Sequence, residues 1–301
     1  MSAQFSKVAF IGIGNMGWPM AARLIGAGFE VAVCDAVPGR ATQFAKEVGG
    51  IAGGDAAEAA KGADAVITIL PTSQHVESVV EAMATVLKPG ALLIEMSSGV
   101  PSVTQTIAAR LAEARIEMID APVSGGVSRA RTGELAIMTG GTDKALDRAE
   151  PLLKAMGTTI TRVGSIGAGQ AMKALNNLVS AGGFLIGIEA LLIGQRFGLD
   201  AGKMVDVLNA STGMNNSTQK KFRQFVLSRK FNSGFGLDLM VKDLSIALEV
   251  GRDTATPTPF ASMCRELWAS AAGLLGPGQD HTAVAQLCEK LVNDTLGTDE
   301  N

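Results

Sequence analysis

Two groups of residues in this chain are spaced to do chemistry. The first is Gly12-Ile13-Gly14-Asn15-Met16-Gly17, which follows the apolar run Val8-Ala9-Phe10-Ile11 and opens a helix-like run from Trp18 to Leu24. In this setting Gly12 permits a tight turn, Gly14 lets the backbone approach a pyrophosphate, and Gly17 lets the helix pack close to the strand. Asn15 and Met16 lead into the helix N-terminus, whose N–H groups have no partner within the helix and suit phosphate oxygens. A second strand, Glu30-Val31-Ala32-Val33-Cys34, ends at Asp35. That acid stands roughly twenty residues past the glycines, where it can accept both ribose hydroxyls of a dinucleotide. Strand, glycine turn, helix, strand and acid together specify a nicotinamide dinucleotide site.

The second group is Lys173 and Asn177, four residues apart in a helical pattern and therefore on one face. A lysine on a helix is ordinarily a solvated surface residue. Here Met172, Ala174, Leu175, Leu178 and Val179 leave it little polar surface. Lys242, within Leu237-Asp238-Leu239-Met240-Val241-Lys242-Asp243-Leu244, competes for the same role, or simply pairs with Asp238 on an exposed face. Pattern alone does not choose between them.

Other candidates lie where strands of an open α/β sheet end, since ligands bind outside those carboxyl ends. Leu70-Pro71-Thr72-Ser73 and Glu95-Met96-Ser97-Ser98-Gly99 are placed to line a cofactor, with Ser97 and Ser98 offering hydroxyls towards its nicotinamide. Asp120-Ala121-Pro122-Val123-Ser124-Gly125-Gly126 adds a hydroxyl at Ser124 and unshielded N–H groups at Gly125 and Gly126, a cradle for a substrate carboxylate.

The elements that must position these residues change character near Gly164. Before it, short apolar runs (65–70, 91–94, 116–119) alternate with helical runs (73–87, 102–114), as in a doubly wound, mostly parallel sheet. Two further strands, 135–141 and 158–161, flank a helix over 144–156. Beyond Ala168 the strand signals fade, and helices are broken at Gly198, Gly213, Gly234-Phe235-Gly236, Pro257-Thr258-Pro259 and Gly276-Pro277-Gly278. The expected division is a dinucleotide-binding domain over 1–164 and an all-helical domain over 165–301. The latter opens with a linker helix over 165–196, some 45 Å long at 1.5 Å per residue. The apolar stretch 178–194 resembles a membrane span, but Glu189 and its glycines favour a buried helix approached closely by others.

Composition narrows the classes. The 301 residues are 47% hydrophobic and 18% charged, a globular balance with room for two domains. A net charge of −3 without a dense basic cluster argues against nucleic acid. Cys34, Cys264 and Cys288 are far apart and odd in number, which fits neither a disulfide framework nor a metal site and suits a reducing cytoplasm. His75 and His281 are the only histidines, too few for a histidine-rich metal centre. The opening Met1-Ser2-Ala3-Gln4-Phe5-Ser6-Lys7 has no secretory pattern.

Four motifs give the chain a resemblance that runs almost end to end: 10–17 with Pro19-Met20-Ala21, 120–126, Gly167-Ala168-Gly169 through Lys173 to Asn176-Asn177, and Lys242-Asp243-Leu244. Together they resemble the β-hydroxyacid dehydrogenase family, which includes 3-hydroxyisobutyrate dehydrogenase and tartronate semialdehyde reductase. The resemblance implies that Lys173 is the catalytic acid/base and that Ser124, Gly125, Gly126 and Asn177 hold the substrate. It also implies that Lys242 lies at the cofactor and substrate edge, with Ser98 close to the nicotinamide. The chain departs from the family at Glu95-Met96-Ser97-Ser98, where Asp-x-Ser-Thr is usual.

The resulting expectation is a cytoplasmic dehydrogenase of a small 3-hydroxy carboxylate, without a metal. It would use NAD ahead of NADP, because Asp35 repels a 2′-phosphate and Ala36 stands where NADP-preferring relatives carry Arg. A homodimer or homotetramer is expected from the apolar helical half. A non-catalytic dinucleotide-binding protein on the same fold is the alternative from another class. An imine reductase-like enzyme is the other, although such enzymes lack a lysine at position 173.

Overall fold

The computed structural model describes residues 5–297. Met1-Ser2-Ala3-Gln4, on which part of the leader expectation rests, lies outside the described residues. The strands are β1 (Lys7–Ile11), β2 (Glu30–Cys34), β3 (Ile51–Ala52), β4 (Ala65–Thr68), β5 (Leu92–Glu95), β6 (Glu117–Asp120), β7 (Val123–Ser124), β8 (Leu135–Gly140) and β9 (Gly157–Gly164). They form a sheet in the order β3-β2-β1-β4-β5-β6-β8-β7, with β9 paired to β8. The first six are parallel. β8 then runs antiparallel to β6 and β7 and parallel to β9. Strand order reverses beside β1, which is where a doubly wound sheet binds its ligand. The sequence pattern overlooks β3 and β7, two-residue strands too short for any periodicity to register.

Alternation along the central strands explains why both faces are covered. Val8, Phe10, Val31 and Val33 point into one core, whereas Ala9, Ile11, Ala32 and Cys34 point into the other. The first core is closed by α1 (Gly17–Gly26), α2 (Arg40–Glu47), α6 (Gly126–Thr132) and α7 (Asp143–Met156) through Met20, Leu24, Phe44, Ala130 and Leu152. The second is closed by α3 (Ala56–Ala60), α4 (Ser73–Met83) and α5 (Pro101–Glu113) through Ala60, Val76, Val80, Ile107 and Leu111. Each fully buried Leu, Ile or Phe in these layers contributes about 1.5–3 kcal/mol.

α8 (Ala168–Phe197) follows as a single helix of 30 residues, about 45 Å long at 1.5 Å per residue. It is long and apolar enough to cross a membrane by length and composition, with a mean hydropathy of 1.7 over its most apolar stretch, more than half of which is buried. The compact units divide within it, at Lys173/Ala174.

The second unit contains α9 (Ala201–Asn209), α10 (Asn216–Lys220), a π-helical turn (222–227), α11 (Leu237–Asp253), α12 (Pro259–Leu275), a 3₁₀ turn (281–284) and α13 (Ala285–Val292). Its core gathers Phe184, Ile188, Leu191, Phe222, Leu244 and Trp268. Gly187 faces the Phe222 ring, where a Cβ would come within 2.6 Å, so this glycine does admit a close neighbour. Phe231 and Phe235 are half-buried against the same core.

Candidate active site

The three glycines of the turn have different surroundings. Gly12 has φ +95°, a region that favours glycine, and its N–H donates to Cys34 O at 2.8 Å. A side chain there would strike the Ile69 carbonyl, and one at Gly17 would overlap the carbonyl of Gly12. Gly14 has nothing within 4 Å of a would-be Cβ, so its outer face is open for a ligand. α1 starts after Met16 without a side-chain cap; Trp18 N donates to Gly14 O at 3.0 Å, Met20 N to Met16 O at 3.3 Å, and Pro19 carries no N–H. Ile13, Gly14, Asn15 and Trp18 line an open cleft of about 670 Å³, together with Arg23, Arg40 and Arg131. An unshielded Gly14 and three guanidiniums around the cleft fit a dinucleotide's phosphates.

Asp35 stands at the end of β2 beside this turn. Its carboxylate accepts from Ile13 N and Val37 N, both at 2.9 Å, and Arg40 Nη1 lies 3.4 Å away. The acid is thereby oriented before any ribose arrives.

Across β4 and β5, Leu70 N donates to Ser97 Oγ at 2.8 Å, which ties the Leu70-Pro71 turn to the Ser97-Ser98 turn. The expectation that both serines face a cofactor is corrected here. Ser97 is 1% exposed and its hydroxyl binds both Leu70 N and Glu95, whereas Ser98 is half-buried. Ser97 is scaffold, and Ser98 remains as the accessible hydroxyl. On β7 and its exit, Ser124 is half-buried while Gly125 and Gly126 are exposed with φ +134° and +68°. Their N–H groups are therefore presented by backbone that a side chain would strain.

Two carboxylates at strand ends carry a role that sequence alone does not assign. Asp120 accepts from Gly167 N at 2.7 Å and Gln170 N at 2.8 Å, capping the start of α8 from β6. A Cβ at Gly169 would come within 2.7 Å of Asp120 Oδ2, so the glycine next to the clamp is required. Glu95 accepts from Ser97 N at 2.7 Å and from the Gln170 side-chain amide. Burial pushes the Glu95 carboxyl up to about 7 and that of Asp120 up to about 6, against the hydrogen bonds that favour their ionised forms.

Further along α8, Lys173 and Asn177 are 8% and 7% exposed, one helical turn apart. Asn177 Nδ2 donates to Asp243 Oδ2 at 2.5 Å, and Lys242 Nζ lies 3.2 Å from the other oxygen of Asp243. Asp243, 1% exposed, belongs to the Lys242-Asp243-Leu244 motif, but sequence alone assigned it no role of its own. Its signal was present in the sequence as an acid adjacent to Lys242 in a helix, a common arrangement that points nowhere by itself. Among the described residues no group of three His, Cys, Asp or Glu side chains could hold a metal ion, and all three cysteines are buried and free.

A doubly wound sheet with an open glycine turn, an oriented acid at β2 and a buried lysine defines a dinucleotide-dependent oxidoreductase. Residues 7–164 match the family of the NAD-binding domain of 6-phosphogluconate dehydrogenase, and residues 167–288 that of the NAD-binding domain of NADP-dependent 3-hydroxyisobutyrate dehydrogenase. The chain is 35% identical to 3-hydroxyisobutyrate dehydrogenase of Pseudomonas aeruginosa, covering 94% of this chain and 98% of the relative. It is 37% identical to NAD-dependent L-serine dehydrogenase of the same organism, covering 87% and 91%. Mycobacterium tuberculosis 3-hydroxyisobutyrate dehydrogenase, solved with L-serine, superposes with a TM-score of 0.88 at 33% identity, covering 94% and 99%. The chain belongs to the 3-hydroxyisobutyrate dehydrogenase or β-hydroxyacid dehydrogenase family. It is an NAD(P)-dependent 3-hydroxyacid dehydrogenase that oxidises a small 3-hydroxy acid.

Proposed function

We propose that the substrate is a 3-hydroxyisobutyrate-like carboxylate, oxidised to its semialdehyde or formed from it, with Lys173 as general acid/base. The observation that carries this reading is the burial of Lys173, 8% exposed, one turn before an asparagine that Asp243 orients. Burial moves a lysine away from its ordinary solvated surface role and favours the neutral amine that proton abstraction needs. In oxidation the neutral amine of Lys173 takes the hydroxyl proton; in reduction its ammonium returns a proton to the carbonyl oxygen. Asn177 orients the reacting oxygen, and Ser124, Gly125 and Gly126 receive the carboxylate through a hydroxyl and backbone N–H groups.

The cofactor's phosphates go to Gly12, Gly14, Asn15, Met16 and Gly17, its adenosine ribose to Asp35, and its nicotinamide side to Leu70, Pro71 and Ser98, with Lys242 at the edge. When bound, the nicotinamide supplies the redox chemistry, exchanging a hydride with the substrate's carbinol carbon. NAD is preferred because Asp35 repels a 2′-phosphate, and Arg40, 3.4 Å from it, softens that preference. On this reading residues 1–164 serve the cofactor, and residues 165–301 serve the substrate and assembly.

The protein assembles as a homodimer or homotetramer through its helical half. Val179, Ile186, Ile193 and Phe197 form an apolar stripe on α8, each more than half exposed. A patch of that kind marks an interaction surface. Three buried free thiols suit the reducing cytoplasm, to which the protein is assigned. The deciding experiment is turnover of 3-hydroxyisobutyrate and L-serine with NAD and with NADP, alongside light scattering. Turnover of L-serine but not of 3-hydroxyisobutyrate would overturn the substrate assignment.

A further inference from the structure

We propose that Glu95 and Gln170 are positioning residues of the reaction: together they lock the Ser97–Gly99 turn onto the first turn of α8 and so set where Lys173 stands. This inference rests on the assignment of Lys173 as acid/base.

The geometry is specific. The Gln170 side chain, 1% exposed, makes three hydrogen bonds, all to the 95–99 turn. Its amide nitrogen donates to Glu95 Oε2 and to Ser97 O at 2.9 Å, and its oxygen accepts from Gly99 N at 2.8 Å. Glu95 completes the ring by accepting from Ser97 N at 2.7 Å on its other oxygen. Each oxygen of Glu95 accepts from a donor, whereas an amide there would turn its NH₂ against another N–H. Ser97 carries the ring on to Leu70 N at 2.8 Å.

Lys173 lies three residues beyond Gln170, hence on the same side of α8 and about 4.5 Å along its axis. Asp120 holds the main chain of the helix start through Gly167 N and Gln170 N. Such a clamp fixes the end of the helix. The Gln170 side chain adds a second attachment, off the axis, that resists rotation about it. A displacement of about 1 Å at a reacting group can cost on the order of 10²-fold in rate. A polar ring placed one turn before a proton-transferring lysine therefore bears on kcat.

The test uses Gln170→Met, which keeps volume and loses the ring, and the milder Glu95→Asp, which keeps the charge near Ser97 but falls a methylene short of Gln170. We expect kcat to drop about ten- to a hundredfold. NADH affinity by fluorescence titration should stay near wild type, and the primary deuterium isotope effect at the carbinol C–H should rise. Amide exchange at Gly99 should accelerate in Gln170→Met. A merely structural ring would lower the melting temperature yet leave kcat and the isotope effect unchanged well below it, and that result overturns the proposal. Lys173→Ala, run in parallel, separates the two assignments. If it is inactive while both ring variants keep wild-type kcat, only the positioning inference fails; if it stays active, the acid/base assignment fails.

Discussion

Asn177 Nδ2 and Asp243 Oδ2 meet at 2.5 Å although 66 residues separate them in sequence, and the same carboxylate takes Lys242 Nζ at 3.2 Å. One buried acid on α11 thus orients two residues that family resemblance assigns to the reaction. Replacing it leaves a buried amide donor without its acceptor, at about 1–3 kcal/mol. Asp243→Ala should therefore lower the melting temperature by several degrees and reduce kcat about tenfold, since a misoriented asparagine holds the reacting oxygen poorly. Asp243→Asn keeps an acceptor for Asn177 and should recover most of the stability. Equal stability in Asp243→Ala and wild type would show the contact to be dispensable.

Lys173 is the residue on which turnover should depend most. Lys173→Ala and Lys173→Met should cut kcat by about 10²-fold or more, the usual contribution of a general acid/base, while NAD binding changes little. Asn177→Ala should be milder, because it orients and transfers no proton. Oxidation needs the neutral amine, so its rate should climb with pH; reduction needs the ammonium and should fall over the same range. Retention of more than about a tenth of wild-type kcat in Lys173→Ala would remove lysine from the mechanism.

Cofactor choice should turn on Asp35 and Arg40. Wild type should show a higher kcat/KM with NAD than with NADP. Arg40→Ala removes the guanidinium 3.4 Å from Asp35 and should widen that ratio. Because the pair is partly exposed, the widening should be modest, roughly two- to fivefold. A wild-type enzyme faster with NADP would refute the NAD preference outright.

Stability should decline as pH rises across the acidic range, because two buried carboxyls hold their protons longer in the folded chain than in the unfolded one. Glu95 moves from 4.5 to about 7 and Asp120 from 3.8 to about 6, both chiefly through burial. Between the two values of each group the folded state carries the extra proton, so its contribution is complete below the unfolded value and lost as pH climbs through the folded one. For Glu95 the loss between pH 4.5 and 7 is on the order of 3 kcal/mol at about 1.4 kcal/mol per unit. Glu95→Gln should flatten the slope of urea midpoint against pH over that interval, leaving the Asp120 part. An identical slope in wild type and variant would exclude Glu95 as its source.

Local chemistry is legible in the sequence. The roles of Gly12, Gly14 and Gly17 follow from what a Cβ would do next to a strand and a phosphate; Gly17 is limited by the nearby carbonyl of Gly12, although the atom that limits Gly12 itself, the Ile69 carbonyl, comes from β4's end. The same holds for Asp35, reached by counting one strand past the turn, and for the doubly wound core, because alternation along β1 and β2 sends side chains to two faces. The serine pair at 97–98 was half legible. Two hydroxyls at a strand end look alike in sequence, and only the packing of β4 against β5 turns Ser97 inward to Leu70.

Tertiary structure decided the polar framework under the site. Glu95 meets Gln170 across 75 residues, Asp120 meets Gln170 across 50, and Asn177 meets Asp243 across 66. No periodicity or spacing rule encodes such pairs, because each joins elements whose approach is set by the hydrophobic layers and not by the polar residues themselves. The short strands β3 and β7 and the reversal of β8 belong to the same class, being pairings chosen by neighbours already in place. The sequence by itself determined which groups could do chemistry and where the dinucleotide turn lies. Which carboxylates would be buried, and which side chains they would hold still, followed only once the chain had closed around them, since burial and its cost are properties of the packed interior.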